Sequence, residues 1–115
     1  YAVSLVGPEA LLPQRSALEP RQVVRLVASS FGLTIDRLLG RDRSREVALP
    51  RQVAMYILRE EVNVSLPQIG EVLGGRDHTT VLYACEKVAD MMERDDRLRR
   101  QVLQIREQLY SRAAA

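Results

Sequence analysis

Residues 65–84 read SLPQIGEVLGGRDHTTVLYA, and this stretch decides the fold. Ser65 and Pro67 are typical of a helix start, and the apolar pattern that follows is interrupted by two glycines and an arginine. Asp77 is a good N-cap for a second helix, whose amphipathic pattern runs to about Glu93. Because two helices joined by a short turn that contains glycine form a helix-turn-helix, the stretch predicts that motif.

The first turn of the second predicted helix is unusual because it holds no apolar side chain. His78, Thr79 and Thr80 come first, and the apolar stripe begins only at Val81. A helix that serves only to pack against a core would not usually keep its whole first turn polar. The pattern favours a helix whose N-terminal end enters the major groove of DNA.

Three stretches of this chain resemble one known family in the same order. They are RSREVALPRQVAMYI at 43–57, SLPQIGEVLGGRDHTT at 65–80 and GGRDHTTVLYACEKV at 74–88. They are similar to the C-terminal DNA-binding domain (domain IV) of the bacterial chromosomal replication initiators of the DnaA family, and the likeness runs from about Leu18 to Tyr110. The resemblance implies an all-α domain of about six helices with a helix-turn-helix. It also implies sequence-specific binding of double-stranded DNA at a short asymmetric origin element, the DnaA box.

The resemblance also implies roles for individual residues. Those matching Asp77, His78 and Thr79 read bases in the major groove, and the one matching Arg43 enters the adjacent minor groove. The remaining matches lie at or near phosphates: Arg41, Arg45, Arg51, Gln52, Leu66, Pro67, Thr80 and Lys87. Two positions depart from the family's pattern, since Asp42 stands where a basic residue is common and Tyr83 where some members carry histidine.

The residues alone leave simpler interpretations open for this set. Asp77 could serve only as a helix cap, and a lone histidine such as His78 is more often structural than functional. Thr80 could bond to the local backbone. The segment Arg41–Glu46 could be a solvated surface loop, and Arg51 a surface arginine paired with a carboxylate.

Helix signals along the chain predict four further helices. They cover Glu19–Ser30, a short helix capped by Thr34 that buries Ile35, Leu38 and Leu39, a helix from Leu49–Pro50 to about Asn63, and a last helix from Asp95 to about Arg112. In the third, Arg51 and Gln52 would lie in the first turn, where free backbone N–H groups favour a phosphate. In the last, Arg97, Arg99, Arg100 and Arg106 are expected to form a solvated face.

Composition bounds the functions that this chain can perform. Its 115 residues, 46% of them hydrophobic, suit one small domain with its own core. The single cysteine, Cys85, lies on an apolar stripe and excludes a disulfide framework or a Cys-rich zinc site. One histidine and no set of convergent catalytic groups argue against an enzyme. With no signal peptide and no apolar run long enough to cross a bilayer, the chain is expected to be cytoplasmic and associated with the nucleoid.

The basic side chains point to phosphate and base recognition, although the net charge is only +2. All of the 17 basic residues except Lys87 are arginines, which suit bidentate contacts with phosphate and guanine.

The domain organisation is predicted as a connecting segment or the tail of a preceding ATPase domain at 1–18, followed by the DNA-binding domain at 19–112. No phosphate-binding motif of the form G-x-x-x-x-G-K-[ST] occurs, so no cofactor is expected here, and ATP belongs to an ATPase domain absent from this chain. The full-length protein would then self-assemble on the origin. Two alternatives stay open. One is the same module in another regulator or a transposase-associated protein, and the other is a module that binds acidic phospholipids or proteins.

Overall fold

The computed structural model describes the backbone of residues 19–114 and side chains as far as 111. Over that range the chain forms six α-helices and no strand, as the sequence predicted. The helices are α1 Pro20–Ser30, α2 Ile35–Leu39, α3 Arg45–Glu61, α4 Leu66–Val72, α5 His78–Arg94 and α6 Asp96–Ala114. The segment 1–18, with its predicted connecting role and its possible affinity for phospholipids, lies outside the described residues.

The first two helices begin and end where the local signals predicted. Glu19 and Gln22 form a reciprocal capping box at the start of α1, and Gly32, with a φ of 70°, lies in the turn after its end. The Thr34 hydroxyl accepts a hydrogen bond of 3.2 Å from the Arg37 N–H at the start of α2. Ile35, predicted to be buried, is 38% exposed instead, because a helix of five residues turns only one narrow face to the core.

The third helix begins earlier than predicted. It starts at Arg45, and its N-cap Ser44 accepts backbone hydrogen bonds from Val47 and Ala48 at 3.0 and 2.8 Å. Pro50, which was expected to fix the start, is buried inside the helix. Proline there removes only one backbone hydrogen bond near the beginning of a helix of 17 residues, so the helix tolerates it. As a result Arg45 occupies the first turn, whereas Arg51 and the neighbouring Gln52 lie beyond it.

The central helix α3 packs against all five of the others and organises the core. Aliphatic side chains of α3 pack against those of α1, α4, α5 and α6, and all of these are buried. Among them are Val23, Val27, Val53, Ile57, Ile69, Val81, Val88, Val102 and Ile105. Cys85 belongs to this core at 3% exposure, and its burial raises the pKa of the thiol. The single cysteine is therefore a packing residue, as its place on the apolar stripe indicates.

The last helix is attached by polar contacts as well as by its apolar stripe. Leu98, Val102, Ile105 and Leu109 recur at helical spacing and are buried against the core. The expected solvated arginine face is wrong for Arg106, which forms a 2.5 Å ion pair with the Glu61 carboxylate of α3. Arg99 donates to the Met92 carbonyl at 2.9 Å, but its side chain stays exposed and also pairs with Asp96. Glu61 lies on another helix, so the helical repeat of α6 could not reveal the contact with Arg106.

Candidate nucleic-acid interface

The turn between α4 and α5 is tightly wound on glycine. Gly74 and Gly75 have φ angles of 90° and 82°, a region that side chains other than glycine rarely adopt. The N–H groups of Gly75 and Arg76 both donate to the Gly70 carbonyl, at 2.9 and 2.8 Å. A Cβ atom on Gly70 would lie 1.9 Å from the Arg76 carbonyl oxygen, so the helix must have glycine at this crossing. This packing fixes the direction in which α5 leaves the turn.

The first turn of α5 presents a row of exposed polar side chains. Asp77 occupies the N-cap position, and its backbone carbonyl accepts from the Val81 N–H at 3.1 Å. Its carboxylate makes no side-chain cap, contrary to expectation. It accepts a hydrogen bond from the Thr79 hydroxyl, which lowers the pKa of Asp77, and lies 3.4 Å from Nδ1 of His78. The Asp77 and His78 side chains are 62% and 59% exposed.

The loop that precedes α3 is ordered by its acidic residue. The Asp42 carboxylate accepts from the Ser44 N–H at 2.9 Å and from Arg37 at 3.1 Å. These contacts, the backbone hydrogen bond first, lower the pKa of Asp42 to about 2. Arg41 and Arg43 on either side of it are exposed. An acidic residue in a basic loop therefore shapes the backbone that carries the two arginines.

A polar cleft of about 510 Å³ lies between this loop and the helix-turn-helix. Its walls come from the end of α2, the loop, α3, the glycine turn and the first turn of α5: Leu39, Gly40, Arg41, Arg43, Arg51, Gly74, Gly75, Arg76 and Thr80. Four arginines therefore surround one cleft in a chain whose net charge is only +2. Such a concentration of positive charge suits an anion.

A second, smaller cleft of about 130 Å³ lies between α3 and the middle of α5. Arg45, Gln52 and Lys87 line it together with Ala48, Leu49 and Met91. Lys87 follows Thr80 by seven residues, so both lie on the same side of α5. The two clefts thus bring together most of the residues predicted to contact phosphates. The other two, half-buried Leu66 and exposed Pro67, stand in the first turn of α4.

Arg51 differs from its prediction. It is only 7% exposed, and its Nε atom donates to the Leu38 carbonyl at 2.7 Å. Its Nη2 atom donates to the carbonyls of Arg37 and Gly40 at 3.3 and 3.2 Å. Both the expected place in an exposed first turn and the alternative surface pairing with a carboxylate are therefore wrong. Backbone carbonyls at the end of α2 bind the guanidinium because α3 begins six residues before Arg51, which therefore lies in the buried part of the helix.

Arg76, within the glycine turn, was not singled out from the sequence. Its guanidinium donates to the Leu39 carbonyl at 3.2 Å and also to the carbonyls of Gly40 and Leu73. Two of these acceptors lie more than 30 positions away in the chain and are backbone atoms, so no spacing of side chains could reveal them.

Two other kinds of site were also sought among residues 19–114. No cluster of three or more His, Cys, Asp or Glu side chains there could hold a metal ion. Within the same range, every helix is too short or too polar to cross a membrane.

Known proteins resemble this chain in sequence and in fold. The family model described as the bacterial dnaA protein helix-turn-helix matches residues 20–88. The chromosomal replication initiator protein DnaA of Chloroflexus aurantiacus is 48% identical over 96 residues, which make up 84% of this chain and 20% of that protein. DnaA of Thermus thermophilus is 51% identical over 83 residues, or 72% of this chain and 19% of that protein.

The chain therefore spans about a fifth of the length of these curated relatives. A crystal structure of a DNA replication initiation factor superposes with a TM-score of 0.74, covering 93% of this chain and 32% of that one. At 24% identity this likeness shows a shared fold. Together with the family model, which covers more than half of the chain, these matches show that the chain belongs to the family of bacterial DnaA helix-turn-helix domains.

Proposed function

We propose that this domain binds double-stranded DNA in a sequence-specific manner, at the DnaA box of a bacterial replication origin, and so directs initiation of chromosome replication. One observation carries the proposal. An exposed polar helix start, at Asp77–Thr80, opens beside a cleft lined by arginines from a separate loop. The names of the curated relatives, chromosomal replication initiators, support the same function.

In this proposal the first turn of α5 enters the major groove. Because the Thr79 hydroxyl donates to Asp77, the Thr79 methyl group remains for contact with a thymine methyl. An oxygen of the ionised Asp77 carboxylate accepts from a cytosine amino group, and the exposed His78 ring donates to a base acceptor. Three neighbouring side chains thus read adjacent base edges in three chemically different ways.

The loop 41–44 enters the adjacent minor groove. Arg43 is exposed, and the hydrogen bonds of Asp42 with Ser44 and Arg37 hold the backbone beside it. The minor groove is narrow and strongly negative over A·T runs, so a guanidinium is attracted there by the shape of the groove as well as by charge. Arg43 would therefore favour A·T over G·C.

The two clefts follow the sugar-phosphate backbone between these grooves. Arg41 and Thr80 offer donors at the larger cleft, and Arg45, Gln52 and Lys87 offer them at the smaller one. Leu66 and Pro67, in the first turn of α4, would lie close to the phosphates of the same DNA strand. Arg51 offers a phosphate only the part of its guanidinium that lines the larger cleft, since the rest bonds to the end of α2. Its role is then mainly to hold that end of α2 in place.

The proposal extends to the whole initiator, of which this chain is about a fifth by comparison with its relatives. An ATPase domain elsewhere in that protein would bind ATP, self-assemble on the origin and open it. This domain would recognise the origin sequence and perform no chemistry. DNA as the partner places the protein at the nucleoid, in the cytoplasm. Binding to acidic phospholipids would depend on the segment 1–18 and remains a separate hypothesis.

Selection from a pool of randomised duplexes, followed by sequencing, tests the proposal. The chain should enrich a short asymmetric element with A·T pairs at one end. Labelled versions of that element and of a scrambled duplex of the same composition then give the two dissociation constants. The element should bind at least about a thousandfold more tightly than the scrambled control, as is common for specific DNA-binding proteins. Enrichment of no sequence would contradict the proposed function.

A further inference from the structure

The helix α2 has only five residues, and the carbonyl groups at its end need hydrogen-bond donors from elsewhere in the chain. The last carbonyl groups of any α-helix find no N–H donor within the helix, and burying them unpaired is costly. Arg51 of α3 bonds to the carbonyls of Arg37, Leu38 and Gly40. The Leu39 carbonyl, left over by Arg51, accepts from Arg76 at 3.2 Å. Arg51 from α3 and Arg76 from the glycine turn therefore supply the donors for the carbonyl groups at the end of α2.

The two guanidinium groups meet at a single atom. The Gly40 carbonyl accepts from Nη2 of Arg51 at 3.2 Å and from Nη2 of Arg76. Arg76 also donates to the Leu73 carbonyl, at the end of α4. The end of α2, the interior of α3 and the glycine turn are thus tied together by one continuous set of hydrogen bonds.

The backbone is closely packed around this set of hydrogen bonds from Arg51 and Arg76, which we call the tie. A Cβ atom on Gly74 would lie 2.3 Å from the Leu39 carbonyl oxygen and 2.7 Å from Nη1 of Arg76. The glycine turn therefore rests directly on the end of α2. Planar guanidinium groups, with donors in a fixed fork, suit such a rigid place better than the single ammonium group of a lysine.

The charges involved are expensive to bury. Within the described part of the chain neither Arg51 nor Arg76 forms an ion pair with a carboxylate. Burial lowers the pKa of both guanidinium groups. The positive charge of Arg76 lowers that of Arg51 further, and the charge of Arg41 acts in the same way on Arg76. An apolar contact would hold two segments together at lower cost, so the geometry that these hydrogen bonds impose is the distinctive feature.

The tied segments are those that lead directly into the two proposed DNA contacts. Gly40 is followed at once by the loop 41–44 with Arg43, and Arg76 by Asp77 and the first turn of α5. We propose that Arg76, assisted by Arg51, is a positioning residue that fixes the distance and angle between the minor-groove loop and the recognition helix. Both grooves are then read by one preorganised surface. This inference rests on the proposed function.

Preorganisation predicts a specific kind of loss when the tie is broken. Arg76→Lys retains the positive charge and the length of the side chain, but a single ammonium group cannot serve the Leu39, Gly40 and Leu73 carbonyls in the same geometry. The loop must then be ordered during binding, which weakens the complex that uses both grooves. Binding to random DNA, which depends on phosphates and charge, is affected little.

Binding of Arg76→Lys to three duplexes separates a loss of minor-groove recognition from a general loss of affinity. The duplexes are the selected element, the element with its A·T end replaced by G·C, and a random sequence. Arg76→Lys should bind the selected element about tenfold more weakly. It should lose most of the discrimination between the first two duplexes and bind the random duplex with unchanged affinity and salt dependence. Arg97→Lys, the same change at an exposed position of α6, should bind all three as wild type does. Arg41→Met removes one cleft charge without touching the tie, and should weaken all three by similar factors.

Each outcome decides the matter. Wild-type behaviour of Arg76→Lys on all three duplexes, or equal losses on all three, overturns the positioning role. Absence of any sequence preference in the wild type overturns the proposed function instead. Cooperative thermal unfolding checks that Arg76→Lys is folded. If it is not, Arg51→Lys carries the test from α3 and should likewise lose most of the discrimination between the first two duplexes. If neither variant folds, the two arginines are needed for stability rather than positioning, and the inference fails.

Discussion

At the scale of single residues, the start of α5 combines a rigid backbone with exposed side chains. The Val81 stripe is buried, while His78 and Asp77 project outward and are more than half exposed. A change at these outward positions should therefore alter recognition without disturbing the core. The hydrogen bond from Thr79 to Asp77 means that two of the readers also fix each other, so their effects on binding should not be additive.

His78→Ala removes the ring that we propose donates to a base. We expect a loss of about 1–3 kcal/mol on the selected element and almost none on random DNA. Because the ring is exposed, urea unfolding should give the same stability as the wild type within about 0.5 kcal/mol. Fluorescence anisotropy with both duplexes measures the two binding energies. Equal losses on the two would show that His78 does not read a base.

Arg43→Ala tests the minor-groove contact. The minor-groove edge of A·T resembles that of T·A, so Arg43 should distinguish A·T from G·C and no more. Selection with Arg43→Ala should lose the A·T preference at one end of the element, at a cost of about 1–3 kcal/mol, and keep the remaining positions. A selected motif identical to that of the wild type would reduce Arg43 to a phosphate contact.

At the scale of elements, the helix-turn-helix depends on how closely its turn approaches α2. Gly74 and Gly75 have similar positive φ angles, but only Gly74 faces the neighbouring helix. Strain in the backbone and collision with a neighbour can therefore be separated by comparing adjacent positions.

Gly74→Ala and Gly75→Ala form this matched pair. A Cβ on Gly75 would meet nothing within 4 Å, so the change should cost only the backbone strain of about 1–2 kcal/mol. The Cβ of Gly74→Ala would collide with the Leu39 carbonyl and should cost clearly more, by at least about 1 kcal/mol. Urea unfolding measures both. Equal stability of the two variants would contradict the close packing of the turn on α2.

At the scale of the whole molecule, the two clefts, which follow each other along the same side of α5, should act as one electrostatic surface for the DNA backbone. Lys87→Ala removes one proposed phosphate contact. It should weaken binding to specific and random duplexes alike and flatten the slope of log K against log salt by about one unit. Arg100→Ala, an exposed charge on α6 outside the clefts, should leave the slope unchanged. Equal effects of the two variants would mean that only net charge matters.

Much of this architecture can be predicted from local signals in the sequence. The caps Thr34 and Ser65, the glycines of the turn and the apolar stripe of α6 each act on neighbouring residues, and the helices they define were predicted closely. The start of α3 was predicted wrongly because proline is common in the first turn of a helix, and Pro50 was expected to mark that turn. The helix begins instead after its N-cap Ser44, which leaves Pro50 in the second turn. Arg51 and Arg76 bond to backbone carbonyls of α2, and such acceptors are present at every residue, so only the folded chain selects among them.

The central claim is that α5 occupies the major groove while the loop 41–44 occupies the adjacent minor groove. Dimethyl sulfate tests both at once, because it methylates guanine at N7 in the major groove and adenine at N3 in the minor groove. On the selected element, the bound domain should protect guanine N7 atoms in one patch and adenine N3 atoms at the neighbouring A·T end. Arg43→Ala should restore methylation at adenine only. Protection of guanine alone in the wild-type complex, with every adenine N3 reactive, would contradict the two-groove account.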